Sequence, residues 1–91
     1  MKKDEIVAEI ARLLGVEAPP MSTGSTEPKA IFTLVNSRLG LGLEANTKPG
    51  LARGIVEASG AHWLPTHESR GATVTREGLE AVLHAVRYFL R

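Results

Sequence analysis

Apolar residues recur at helical spacing in four stretches of the chain. From Asp4 to Leu14, the residues Ile6, Val7, Ile10, Leu13 and Leu14 share one face. Asp4 and Glu5 open that stretch and Arg12 lies near its end, the order a helix dipole favours. Gly15 is its natural stop. A second pattern opens at Thr26-Glu27-Pro28 and runs to about Arg38, with Ile31, Leu34 and Val35 facing inward, Phe32 and Leu39 beside them, and Gly40 ending it. A third runs from Thr47, as N-cap, to Gly60, with Pro49 in the first turn and Leu51, Ile55 and Val56 as a narrow stripe beside Ala52 and Ser59. The last covers about Arg76 to Leu90 with Thr75 as cap. Its wide apolar face is Leu79, Val82, Leu83, Val86, Phe89 and Leu90, and its polar face is Glu80, His84, Arg87 and Arg91.

The segments between them break the periodicity for local reasons. Val16 to Ser25 holds Pro19-Pro20 and a run of small polar residues, so it reads as a connector. Leu39 to Asn46 is too long for a tight helix-turn-helix. There Leu41 and Leu43 flank Gly42, so two leucines reach the core from irregular backbone. Ala61-His62-Trp63-Leu64-Pro65 and the β-prone Thr73-Val74-Thr75 are two segments for a small hairpin over the Thr66–Gly71 loop; the alternative is an irregular loop pinned by Trp63. The expected fold is mainly α: four short helices around one small core, with room for a small β-hairpin before the last helix.

Gly50 and Gly54 weaken the third helix by about 1 kcal/mol each if interior, so that helix depends on packing. Glycine there also admits a close neighbour, either another helix or a nucleic-acid strand. The two Thr-x-Pro openings are offset by 21 residues and bring Val35 and Val56 into correspondence. This is either a degenerate repeat or two uses of one capping chemistry.

With 91 residues the chain is expected to form one domain, 1–91, and the core must be built largely from Leu, Ile, Val and Ala. Without cysteine it has no disulfide framework and no thiolate metal site. No apolar run approaches the ~20 residues of a membrane span, and no apolar stretch follows the N-terminal basic residues, so a cytoplasmic protein is expected, without a membrane partner. The apolar Phe89-Leu90 close to Arg91 suggests a piece of a longer protein, whose other domains would then be partners.

Charge changes this picture slightly. The formal net charge is +1, and the excess sits in residues 46–76, where Lys48, Arg53, Arg70 and Arg76 outnumber Glu57 and Glu68. Candidate chemistry is sparse. His62, His67 and Glu68 match no zinc spacing, and His84 falls on a separate polar helix face, so no metal or other cofactor is expected. No nucleophile elbow and no paired acids appear, so the chain does not read as an enzyme. The run Ser69-Arg70-Gly71-Ala72-Thr73-Val74-Thr75-Arg76 offers guanidinium and hydroxyl groups at a helix N-terminus, a place receptive to phosphate. The plainer reading has Thr75 capping, Gly71 turning, and the arginines pairing with Glu68 and Glu77.

From Leu34 to Glu57 the pattern is Leu34-Val35, Arg38-Leu39-Gly40-Leu41, Asn46-Thr47-Lys48, Leu51, Arg53 and Ile55-Val56-Glu57. This resembles the SAP-like helix–extended-loop–helix DNA-binding motif over about a quarter of the chain. Asn46-Thr47 stands where that family has a glycine before the lysine, and asparagine tolerates the left-handed conformation of such a turn. The resemblance implies duplex DNA as partner, with Lys48 against the backbone and Arg53 as a looser match. Together with the basic middle it leads to the expectation of a DNA-binding module from a DNA-processing protein, of restriction or repair type. Its expected contacts are Thr47, Lys48, Arg53, Ser69, Arg70, Thr73 and Arg76. The alternative is a helical protein–protein interaction module that binds no nucleic acid.

Overall fold

Each apolar face is buried against the others in one core. A computed structural model describes residues 1–20, 28–70 and 73–91. Its elements are α1 (Lys3–Leu14), α2 (Lys29–Leu39), α3 (Lys48–Ala58), a 3₁₀ turn (Pro65–His67), β1 (Glu68–Ser69), β2 (Thr73–Val74) and α4 (Arg76–Phe89). The strands pair antiparallel, with Glu68 opposite Val74 and Ser69 opposite Thr73. Helix α4 packs on both α1 and α3, and α2 packs on α1 and α3.

The period of 3.6 residues decides which side chains are inside. Helix α1 buries Ile6, Val7, Ile10 and Ala11, and α3 buries Leu51, Ala52, Ile55 and Val56. Phe32 on α2 is the largest fully buried side chain, so it belongs to the core as firmly as Ile31 and Val35. Leu13, Leu14 and Leu39 are only partly buried. The part of the α4 face that enters the core ends at Val86: Phe89 is only half-buried and Leu90 is 44% exposed. It caps the helix at φ −98°, ψ 7° and has left the helical period. Outside the core, Glu9 accepts from Arg12 at 2.7 Å and lies 3.6 Å from Arg87 of α4. The hydrogen bonds from Arg12 hold the Glu9 carboxyl below its ordinary pKa, and Arg87 adds to this.

Helices α1 and α2 stop in the same way. Gly15 and Gly40 have φ of 71° and 62°. After each, the next N–H reaches back five residues: Val16 to the Ala11 carbonyl at 3.0 Å, Leu41 to the Asn36 carbonyl at 3.1 Å. Val16 and Leu41 then rest on the core, the apolar contact that accompanies this end motif.

Two expectations change. The first strand is Glu68–Ser69, not Ala61–Pro65; Pro65 opens the 3₁₀ turn instead, where its missing N–H costs no ladder bond. Helix α2 does not start as α3 does. Pro28 is its extended N-cap, whereas Pro49 lies inside the first turn of α3, so the 21-residue correspondence does not extend to capping. Val35 and Val56 are nonetheless both fully buried. Thr26, Glu27 and the Ser22–Ser25 run lie outside the described residues.

The α2–α3 connection is extended, with Leu41 and Leu43 laid on the core. Asn36 fastens it. Its amide donates to the Leu43 carbonyl at 3.0 Å and its Oδ1 accepts the Leu43 N–H at 2.9 Å, as a neighbouring strand would. Leu43 in turn fills the space above Gly54, where a Cβ would lie 2.9 Å from one of its methyl carbons. The close neighbour of this helical glycine is therefore a leucine of the connector, neither another helix nor a nucleic-acid strand. Asn36→Ala should cost about 1–3 kcal/mol, because the Leu43 amide and carbonyl lose their partner. Urea denaturation checks this, with Asn46→Ala on the exposed part of the connector expected to stay within ~0.5 kcal/mol.

Candidate nucleic-acid interface

Helices α3 and α4 begin with the same local device. Thr47 Oγ1 accepts the Gly50 N–H at 3.1 Å, and Thr75 Oγ1 accepts the Gly78 N–H at 3.1 Å. Each is a threonine N-cap bonded to the third helical residue. At α4 the cap does more. The Thr75 hydroxyl also donates to the Thr66 carbonyl at 2.7 Å, and the Thr75 N–H bonds to the His67 carbonyl at 3.0 Å. The first turn of α4 is thereby tied to the 3₁₀ turn. Gly78 permits this approach, since a Cβ there would sit 2.1 Å from the His67 carbonyl oxygen.

The tied turn presents the hairpin to α3. Trp63 meets His67 edge-on with ring centroids 4.9 Å apart, and its indole N–H donates to the Glu68 carboxylate at 3.2 Å. The Ser69 and Thr73 hydroxyls hydrogen-bond across the strand pair. Between the start of α3 and β1 lies a cleft of about 360 Å³ lined by Thr47, Pro49, Gly50, Arg53, Glu68 and Ser69.

Of the seven expected contacts, Thr47, Arg53 and Ser69 line this cleft, and Thr73 is attached to it through Ser69. Lys48 is the first residue of α3, and Arg70 follows Ser69; neither has an ion-pair partner among the described residues. Arg53 is held by Glu57 at 3.3 Å, and Arg76 by Glu80. The plainer reading of Arg70 and Arg76 is corrected: Arg76 pairs with Glu80, one turn along the same helix, and not with Glu77, while Glu68 bonds to Trp63 and not to Arg70. Gly71 lies outside the described residues.

Sequence reasoning missed Glu68 as a lining residue. Glu68 and Arg53, the latter already paired with Glu57, line the cleft with opposite charges, and the first turn of α3 carries no acidic residue. Sequence reasoning also separated His84 from His62 and His67. All three line one groove of about 370 Å³ between α3 and α4, because the chain after Gly60 folds back beside α4. Among the described residues no three His, Cys, Asp or Glu side chains converge as a metal site. None of the described helices is long and apolar enough to cross a membrane.

No family model matches this chain, and neither a curated protein nor a solved structure is significantly similar to it.

Replacing glycine by alanine inside a helix ordinarily gains about 1 kcal/mol. At Gly78 the sign should reverse, to a loss of about 1–3 kcal/mol, because the new methyl group meets the His67 carbonyl. Urea titration of Gly78→Ala measures this; a stabilised variant would show that the turn is not docked on α4.

Proposed function

We propose that this chain is a DNA-binding module belonging to a DNA-processing protein of restriction or repair type. The observation that carries the reading is the cleft that brings Thr47 and Arg53 of α3 beside Ser69 of the hairpin. Hydroxyl groups, a guanidinium and a helix N-terminus are the usual donors to phosphate oxygens. Lys48 and Arg70 adjoin that cleft in sequence and have no carboxylate neutralising them among the described residues. The extended connection between α2 and α3 supports the same reading, since the resemblance to the SAP-like motif rests on that arrangement.

Binding of this kind is led by phosphate contacts, so affinity should fall as salt rises. Fluorescence anisotropy with duplex DNA at low salt tests it. Lys48→Ala and Arg70→Ala should each weaken binding and flatten the plot of log K against log salt by about one unit, since each removes one phosphate contact. Lys2→Ala should change little. Equal losses at Lys2 and Lys48, or no binding at tens of micromolar protein, would reject the proposal.

A second reading draws on a different surface. Tyr88 and Leu90 are 50% and 44% exposed at the end of α4, and Arg91 lies over the Tyr88 ring at 5.2 Å. A helical protein partner would cover this end, and light scattering showing a monomer that still binds DNA would count against it.

A further inference from the structure

We propose that the histidine-lined groove between α3 and α4 receives a single unpaired nucleobase of the bound DNA, an inference that rests on the DNA-binding reading above. The chemistry of the groove selects the ligand. Val56, Ala81 and Ala85 form an apolar floor, and the imidazoles of His62, His67 and His84 stand around it with the hydroxyls of Ser59 and Tyr88. No Lys, Arg, Asp or Glu lines it. A carboxylate or phosphate finds no lysine or arginine there. The Ser59 hydroxyl already donates to the Val56 carbonyl at 2.6 Å, but a hydrocarbon side chain would cover the imidazoles of His62 and His84 and the Tyr88 hydroxyl without giving them partners. A nucleobase satisfies both demands, with flat faces for small residues and aromatic rings and an edge of donors and acceptors for the rim. The volume, about 370 Å³, falls within the ~300–1,000 Å³ of ligand pockets.

One rim group is already oriented. His67 Nδ1 accepts the Leu64 N–H at 3.1 Å, so in the neutral ring Nε2 carries the proton and is a donor. Trp63 braces the ring from its edge. The position also fits. Helix α3 contributes Arg53 to the phosphate cleft and Val56 to the groove, about 4.5 Å further along the helix axis at the α-helical rise. On the other wall, His67 lines the groove and the next two residues line the cleft. A phosphate held in the cleft therefore has its base within reach of the groove. Leu64, joined to His67 and 49% exposed, offers an apolar side chain to fill the gap that an extruded base leaves in the stack.

The test compares two duplexes of one sequence, fully paired or with one unpaired adenine, by anisotropy. An unpaired base has no pairing to lose, so the bulged duplex should bind at least about tenfold tighter. Ala81→Leu fills the groove from a half-exposed position on α4 and should abolish this preference while leaving affinity for the paired duplex unchanged. His84→Ala, on an exposed position, should reduce the preference without disturbing the core. Adenosine added to the protein alone should shift the ring protons of His62, His67 and His84 in NMR spectra. Equal affinity for the two duplexes, or a preference indifferent to both variants, overturns the inference and leaves the DNA-binding reading standing. Binding to neither duplex overturns both. Histidine shifts with a tryptophan-containing peptide but none with adenosine would reassign the groove to a protein side chain.

Discussion

The surface of this protein depends on one close approach: the His67 carbonyl against the first turn of α4, where only a glycine leaves room. Around that contact, the Thr75 hydroxyl accepts from Gly78 and donates to Thr66, and the Thr75 amide bonds to His67. These bonds turn a short stretch with little apolar content of its own into a fixed wall. Val74 is the one hairpin residue among those described that enters the core. The wall has two sides. Its Glu68 and Ser69 face the start of α3, and its His67 faces the groove beside α4.

Helix α3 is the other half of both sites, and its own sequence is a poor helix former. Two glycines and a proline within eleven residues cannot sustain it in isolation. It is held from outside by four buried apolar residues and by the connector, which Asn36 fixes and Leu43 seats over Gly54. The glycines that weaken the helix are thus the positions where its neighbours come close. Gly54 receives Leu43, and at Gly50 a Cβ would lie 2.8 Å from the Thr47 hydroxyl oxygen that caps the helix.

Much of the fold was legible in the sequence because the signals are local. Helical periodicity located the four described helices, Gly15 and Gly40 marked the ends of α1 and α2, and Thr47 and Thr75 were recognisable caps. What escaped depends on partners distant in the chain. The Asn36 clamp joins residues seven apart through side-chain geometry that no composition rule announces. A hairpin was one of two readings of that stretch, and its first strand lies at Glu68–Ser69, since Pro65 places the preceding segment in a 3₁₀ turn. The grouping of His84 with His62 and His67 required knowing that the chain after Gly60 returns along α4. For the candidate cleft, hydroxyl and guanidinium residues drew attention to Thr47, Arg53 and Ser69. Glu68 was passed over there, because an acidic residue does not suggest a phosphate site.

The proposal that the start of α3 and the hairpin act as one DNA-facing surface is tested most directly by chemical-shift mapping of the labelled protein against a short duplex. Amide signals of Thr47, Lys48 and Gly50 to Arg53 and of Glu68 to Arg70 should move together along one titration curve, while those of α1 stay in place. Shifts confined to the Tyr88–Arg91 end of α4, or two sets that saturate at different DNA concentrations, would contradict a single surface.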